Sequence, residues 1–194
     1  MENMVRQKKN RGETVHIVLA LVAILVVAGA IAAVLIIRNN RKYSVGESDE
    51  NSYRNKWAKV KVYVPEDYIV NTKSQKVSGF DNPFSFASKS GKSYCYVFTR
   101  EGKPDMGTLE DEFKKTFGDG MFNLSYGKTG IQMSMTTDHR SIAGESYDCL
   151  VMSVAGVKMT LAFRPVHDNG VFCVCTVTTG GESEDDMFRL FEKY

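Results

Sequence analysis

Two neighbouring pairs of histidine and aspartate are the first candidates for chemistry in this chain of 194 residues. Asp138-His139 and His167-Asp168 each place an imidazole beside a carboxylate, the combination that zinc sites and catalytic bases use. Both pairs are expected in surface loops, where polar residues are common for other reasons. No Cys-x-x-Cys or His-x-x-x-His spacing accompanies them. We therefore expect no catalytic residue, no metal site and no cofactor. An enzyme that uses a loop His-Asp pair is the alternative.

Two further motifs resemble functional loops only in part. Gly127-Lys128-Thr129 is similar to the end of a phosphate-binding loop, but Phe122 occupies the position of the required first glycine. Gly144-Glu145-Ser146-Tyr147-Asp148 lacks the second glycine of a nucleophile elbow. A turn between strands explains the first motif, and neither predicts an active site.

The four cysteines, Cys95, Cys149, Cys173 and Cys175, all fall in predicted strands. Buried free thiols are the simplest interpretation, and a disulfide that involves Cys95 is the competing one. We expect strand pairings of Val154 with Val157 and of Arg164 with Val171. These pairings place Cys149 and Cys173 on either side of Ala162, roughly 9–10 Å apart. A disulfide between these two would be too long.

The charge distribution argues against nucleic-acid binding. Residues 57–194 carry 16 basic and 18 acidic side chains, whereas nucleic-acid recognition needs a dense basic surface. The basic excess lies instead in residues 1–14 and 38–56, on both sides of an apolar segment.

That segment, Val15 to Ile37, contains no charged residue and no proline, and 15 of its residues are Val, Ile or Leu. At about 1.5 Å per residue, it could cross a bilayer core of about 30 Å. The pattern predicts a single-pass protein of the plasma membrane, with the lipid bilayer as a partner. The basic tail 1–14 favours a cytoplasmic N-terminus and an extracytoplasmic domain, although the opposite orientation stays open. A cleaved signal peptide is a further alternative, since Ala28-Gly29-Ala30 resembles a cleavage site.

The predicted span also carries small residues four positions apart. Gly29 and Ala33 would let two helices approach closely, and we expect a possible homodimer through this helix. Arg11-Gly12 before the apolar run is similar to a pilin processing site. Pilins have a glutamate where this chain has Ile17, so a pilin-like structural subunit is a minor alternative.

Residues 38–56 are polar and read as a linker, and residues 57–194 read as one α+β domain. Period-two alternation predicts a strand over Val60–Val64 and a hairpin of Phe84–Ala87 with Ser93–Thr99 around Ser90-Gly91. A meander is expected to follow, with strands at Met121–Tyr126, Ile131–Thr137, Ser146–Ala155, Val157–Arg164 and Val171–Thr179.

Two amphipathic helices complete the predicted domain. One begins with Thr108 as N-cap and presents Leu109, Phe113 and Phe117 on one stripe. The other begins at Ser183 and presents Met187, Leu190, Phe191 and Tyr194 on one side. Because both faces of the meander are largely apolar, one helix should cover each face. The predicted fold is an α/β/α sandwich around an antiparallel meander sheet.

This order of elements resembles the PsbP-like fold, over roughly Trp57 to Tyr194. Val64-Pro65-Glu66-Asp67-Tyr68 and Ala143-Gly144-Glu145 are the local similarities. The chain also looks like membrane-anchored proteins of Gram-positive bacteria. The resemblance implies an extracytoplasmic accessory or binding module and transfers no functional residue. We therefore expect a membrane-tethered, extracytoplasmic binding or interaction module without catalytic activity, whose partner is a protein, a wall polymer or a small ligand.

Overall fold

Alternation of apolar and polar residues determines most of the architecture. The computed structural model describes residues 41–77, 79–103, 105, 107–108, 111–112 and 133–194. Residues 43–194 belong to one compact unit, which the described strands organise into two antiparallel sheets.

The small sheet has the strand order β1-β2-β3-β12. Its strands are β1 (Glu47–Asp49), β2 (Ser52–Asn55), β3 (Val60–Tyr63) and β12 (Phe191–Lys193). In β3, buried and exposed residues alternate, so that Val60 and Val62 face the interior while Lys61 and Tyr63 face solvent. The small sheet therefore has one buried face and one solvent-exposed face.

The large sheet has the order β4-β6-β7-β11-β10-β9-β8, with β5 also paired to β6. Its strands are β4 (Tyr68–Asn71), β5 (Gln75–Val77), β6 (Phe80–Ser88), β7 (Ser93–Glu101), β8 (Met133–Ile142), β9 (Glu145–Val154), β10 (Val157–Val166) and β11 (Gly170–Thr179). A short helix, α1 (Asp185–Phe188), lies between β11 and β12. Among the described strands, the long strand β8 ends this order on one side, and the short strands β4 and β5 end it on the other.

The main core lies between the two sheets. Tyr53 of the small sheet stacks on Phe84 and Phe172 of the large sheet, with ring centroids 5.7 and 6.5 Å apart. The Tyr53 hydroxyl is also satisfied, because it donates to the Val45 carbonyl at 2.7 Å. Gly46 has a positive φ of 90°, and a Cβ there would lie 2.6 Å from the Tyr53 ring, so only glycine fits this approach. Burial between the sheets thus depends on the segment that precedes β1.

The opposite face of the large sheet carries a second apolar cluster. Its buried members are Phe80, Leu150, Met152, Met159, Leu161, Phe163, Val171, Cys173 and Cys175. Both faces of the large sheet are therefore apolar, as the sequence predicted.

The predicted α/β/α sandwich is wrong for the described part of the chain, which is mostly strand. One face of the large sheet is covered by the small sheet and not by a helix. Residues 43–56, placed in the linker by the sequence analysis, supply β1 and β2 of that sheet. These two strands are short and carry many solvent-facing polar residues. Their sequence therefore resembles that of a linker.

The predicted C-terminal helix is also wrong in most of its length. Helix α1 has four residues, and Phe191–Lys193 form β12, which pairs with β3. Four residues cannot sustain a helix by themselves, because helix initiation is costly. Pairing Phe191 with Val62 instead buries the aromatic ring in the main core.

Several predicted strands are confirmed, although one register is shifted. The hairpin of β6 and β7 and the pairing of Val154 with Val157 occur as expected. However, Arg164 pairs with Phe172 and not with Val171. This shift of one residue moves Cys173 and Cys175 to the face opposite to Cys149. The cause is the connecting turn, in which His167 adopts a positive φ of 51° and lets β11 begin at Gly170.

The single-pass membrane architecture and the plasma-membrane location are not supported by the structure. Across the residues that the structure describes, no helix is long and apolar enough to span a bilayer. The predicted span Val15–Ile37, with Gly29 and Ala33, lies outside the described residues. So do the predicted strand Met121–Tyr126 and most of the predicted helix that begins at Thr108.

Candidate functional site

An open cleft lies beside strand β8 of the large sheet and strand β12 of the small sheet. Its volume is about 460 Å³. The described residues that line it are Arg140, Ser141, Ile142, Ala143, Gly144, Asp185, Phe188, Arg189 and Phe191. Strand β8, the turn after it, helix α1 and strand β12 each contribute to this lining.

The turn between β8 and β9 shapes one wall of the cleft. Ile142 pairs with Glu145, which leaves a two-residue loop of Ala143 and Gly144. Both loop residues have positive φ, 54° and 76°, as in the type I′ turn that matches strand twist. Consequently the chain reverses tightly and keeps the end of β8 next to α1.

Arg140 joins the large sheet to the C-terminal segment. Its Nη1 atom lies 2.7 Å from Asp185 Oδ1, and its Nη2 atom pairs with Glu184 Oε1. The guanidinium also lies over the Phe188 ring, 5.4 Å from the centroid. A planar, permanently charged group can make these contacts at the same time, which a lysine could not do.

Glu184 is the buried partner in this cluster, with only 4% of its side chain exposed. Besides Arg140, it accepts hydrogen bonds from Lys158 Nζ at 2.9 Å and from Thr160 Oγ1 at 2.8 Å. A buried carboxylate requires such partners, since an unpaired charge in the interior is costly. The carboxylate is thus committed to binding within the protein, and it attaches the segment before α1 to strands β8 and β10.

The mouth of the cleft combines an exposed cation with an aromatic wall. Arg189 has 77% of its side chain exposed and forms a 3.5 Å ion pair with Asp186. Phe188 and Phe191, which also line the cleft, are buried. Such a cleft can accept an apolar group against the aromatic residues while the exposed guanidinium meets an anionic group.

The predicted pair Asp138-His139 lies in β8 and not in a loop, and its two side chains project to opposite faces. The Nδ1 atom of His139 lies 2.8 Å from Oδ1 of Asp148 on β9, whereas Asp138 Oδ1 accepts the backbone N–H of His139. The contact between His139 and Asp148 has the geometry in which a carboxylate orients a histidine ring. However, His139 is 78% exposed and neither residue lines the cleft.

The second predicted pair, His167-Asp168, lies in the turn between β10 and β11 and is exposed. It is separate from the residues that line the cleft. The two histidine pairs are therefore not brought together with the cleft into one site. Among the residues described, no group of three or more His, Cys, Asp or Glu could hold a metal ion.

All four cysteines are buried and free. Burial raises the pKa of the Cys149 thiol to about 11 and that of the Cys175 thiol to about 12. Because the thiolate is the reactive form, these groups are poor nucleophiles near neutral pH. Gly127-Lys128-Thr129 lies outside the described residues.

No sequence pattern marks Arg140, Glu184 or Arg189 as site residues. Glu184 lies within an acidic stretch that reads as a solvated surface, and Arg140 lies in a polar strand. What distinguishes these residues from ordinary surface charges is the tertiary contact between β8 and the C-terminal segment. No family model matches this chain, and a search of curated proteins finds no match to it.

Proposed function

We propose that this domain is a non-catalytic binding or interaction module and that the cleft at Arg140 is its recognition site. The observation that carries the proposal is the composition of this cleft. An exposed guanidinium, that of Arg189, stands at an opening whose wall contains Phe188 and Phe191. Concave sites with apolar walls and a few placed polar groups are typical ligand sites.

The internal contacts of Arg140 and Glu184 favour a binding function over a catalytic one. The Glu184 carboxylate is held by Arg140, Lys158 and Thr160, so it is not free to act on a ligand. The described lining contains no histidine or cysteine. An enzyme that uses the His139–Asp148 pair is the second candidate, because the 2.8 Å contact orients the imidazole. It is the weaker one, since that pair lies on an exposed strand surface outside the cleft.

The chemistry of the opening favours a polypeptide segment as the partner. Such a segment would place an apolar side chain against the aromatic wall and a neighbouring acidic group at Arg189. A wall polymer or a small ligand without a negative charge would form no ion pair with the Arg189 guanidinium. The partner is therefore expected to be an acidic and apolar peptide segment of another protein.

Selection of random peptides on the immobilised full chain tests this proposal. We expect selected peptides to combine aromatic or aliphatic residues with aspartate or glutamate. In the variant Arg189→Glu, which reverses the charge at the cleft mouth, their affinity should fall at least about tenfold, equivalent to about 1.4 kcal/mol. Arg54→Glu is the matched control, because Arg54 is an exposed residue of β2 that does not line the cleft. That variant should bind like the native chain.

Two outcomes would contradict the proposal. Selected peptides that bind native chain and Arg189→Glu equally would place recognition elsewhere. Selection of peptides whose binding depends on His139, tested with His139→Ala, would direct attention to the His139–Asp148 pair instead.

A further inference from the structure

Four basic side chains lie close together at the solvent-exposed face of the small sheet. Arg54 of β2 and Lys61 of β3 are cross-strand partners, and Lys56 and Lys59 belong to the turn that joins these two strands. All four residues are exposed to solvent. Residues 57–194 as a whole carry more acidic than basic side chains. The positive charge at this end of the small sheet is therefore a local feature.

These charges are incompletely compensated within the described chain. Lys61 pairs with Glu192 of β12 at 3.0 Å, but both side chains of that pair are exposed. Arg54 forms no ion pair with a described residue, although Glu47 is its cross-strand partner on β1. Arg54 and Lys61 also lie directly opposite each other, and like charges in that position destabilise a sheet. An anionic surface placed against this face would relieve the repulsion.

Two exposed tyrosines accompany the basic side chains. Tyr63 follows Lys61 by two positions on the outward side of β3, and 66% of its surface is exposed. Tyr194 is 49% exposed. Its backbone N–H donates to the Lys59 carbonyl at 3.0 Å, and Lys56 Nζ lies 5.8 Å from its ring centroid, so it is held beside the β2–β3 turn. These cations and tyrosines together form the basic face: Arg54, Lys56, Lys59, Lys61, Tyr63 and Tyr194.

We propose that the basic face docks on the surface of a bilayer that contains anionic lipids. Lysine and arginine close to such a surface are attracted to its headgroups. Tyrosine prefers the boundary between headgroups and acyl chains, where its ring is in apolar surroundings and its hydroxyl stays hydrated. Three of the four cations are lysines, whose compact charge suits phosphate groups spread over a surface. The residues lie on an outer sheet face and its turn, which suits a planar partner.

This inference goes beyond the proposed binding function, and it requires no segment of the chain to span a bilayer. None of the residues of the basic face lines the cleft. A polypeptide at the cleft and a lipid surface at the basic face are therefore bound independently. Arg189→Glu alters only the first interaction and Arg54→Glu only the second, so failure of one proposal is distinguishable from failure of the other.

A fluorescent probe in the full chain tests the lipid contact locally. Ser52 is the partly exposed cross-strand partner of Tyr63, and the native thiols are buried. An environment-sensitive dye attached to Ser52→Cys therefore reports from the basic face. Lys89→Cys, in the exposed turn between β6 and β7, carries the same dye as a control. With vesicles of equal parts phosphatidylcholine and phosphatidylglycerol, we expect a blue shift of the emission at position 52 and none at position 89. Vesicles of phosphatidylcholine alone should shift neither.

Charge reversal tests whether the basic residues make the contact. In the labelled Ser52→Cys chain, Arg54→Glu combined with Lys56→Glu should raise the lipid concentration for half of the shift at least about tenfold, since each cation near the surface adds to the attraction. Arg189→Glu, which lies outside the basic face, is the matched control and should respond like the native chain. High salt should act like the charge reversal, because it screens exposed charges.

Substitutions of one tyrosine distinguish a bilayer from an acidic polymer. Tyr63→Ser should weaken the response to anionic vesicles, whereas Tyr63→Trp should preserve it, because tryptophan shares the preference of tyrosine for the bilayer boundary. Three results would each overturn the proposal. They are an equal shift with neutral vesicles, an unchanged response in a folded Arg54→Glu, Lys56→Glu variant, and a shift of the same size with soluble polyglutamate, which would identify an acidic polypeptide as the partner.

Discussion

At the residue scale, the Arg140–Glu184 pair connects the fold to the candidate site. Glu184 is buried and takes bonds from three side chains, of which Arg140 also lines the cleft. Removing one partner of a buried ion pair leaves the other charge uncompensated, which costs more than the pair itself contributes. The position of α1, and with it the wall of the cleft, should therefore depend on this single carboxylate.

Glu184→Gln tests that dependence. The amide keeps the size of the side chain but removes the charge that Arg140 and Lys158 require. We expect the free energy of unfolding to fall by about 2 kcal/mol, less than for a fully enclosed pair because Lys158 is 43% exposed. Urea denaturation followed by circular dichroism measures the change.

The matched control is Glu192→Gln. Glu192 pairs with Lys61 at 3.0 Å on the exposed face of the small sheet, with 67% of its side chain exposed. Such surface pairs contribute about 0.5 kcal/mol or less. Equal losses in Glu184→Gln and Glu192→Gln would show that the buried cluster does not hold the C-terminal segment.

At the element scale, alternation patterns located strands well and described the chain ends poorly. Strands β3, β6, β7, β9 and β10 follow the predicted positions to within a few residues, because their alternation or apolar runs are unambiguous. The segment Ser183–Tyr194 has apolar residues at spacings that fit both a helix and a helical turn followed by a strand. Pairing with β3, a contact distant in sequence, decides between them.

The register error between β10 and β11 has a local cause. The sequence shows Asp168-Asn169-Gly170 as a turn, and the backbone instead places positive φ at His167. A non-glycine residue seldom adopts that conformation, so the sequence gives no warning of it. One residue of displacement then inverts the face of every side chain in β11. The candidate site was missed for a different reason, because Arg140 and Glu184 meet only in the tertiary structure.

A disulfide can test the strand assignment of the C-terminus. Lys61 and Glu192 are cross-strand partners in β3 and β12, and both are exposed. Their Cα atoms are expected about 5.5 Å apart, within the range for a disulfide. The double variant Lys61→Cys, Glu192→Cys should therefore form an intramolecular disulfide, detectable by peptide mapping without reduction.

The control is Lys61→Cys combined with Ser183→Cys, since Ser183 precedes α1 and is not paired with β3. It should remain reduced under the same conditions. If the C-terminal segment were one continuous helix, the Lys61–Glu192 pair would not cross-link more readily than this control.

At the scale of the whole molecule, a small sheet packs on one face of a large sheet, and a cleft remains beside β8 and β12. The charges within this cleft are largely compensated inside the protein, and Arg189 remains exposed at its mouth. This combination underlies the proposal of a binding module. The charge composition argues against nucleic-acid binding, but the cleft that we propose as a recognition site is visible only in the tertiary structure.

The most direct test of that proposal is backbone amide NMR of the full chain, titrated with acidic, apolar peptides from the selection. We predict that shift changes will concentrate at residues 140–144 and 185–191, on both sides of the cleft. They should be lost in Arg189→Glu and retained in Arg54→Glu. Shift changes centred on His139 and Asp148, or spread over the outer face of the small sheet, would contradict the assignment of the Arg140 cleft as the recognition site.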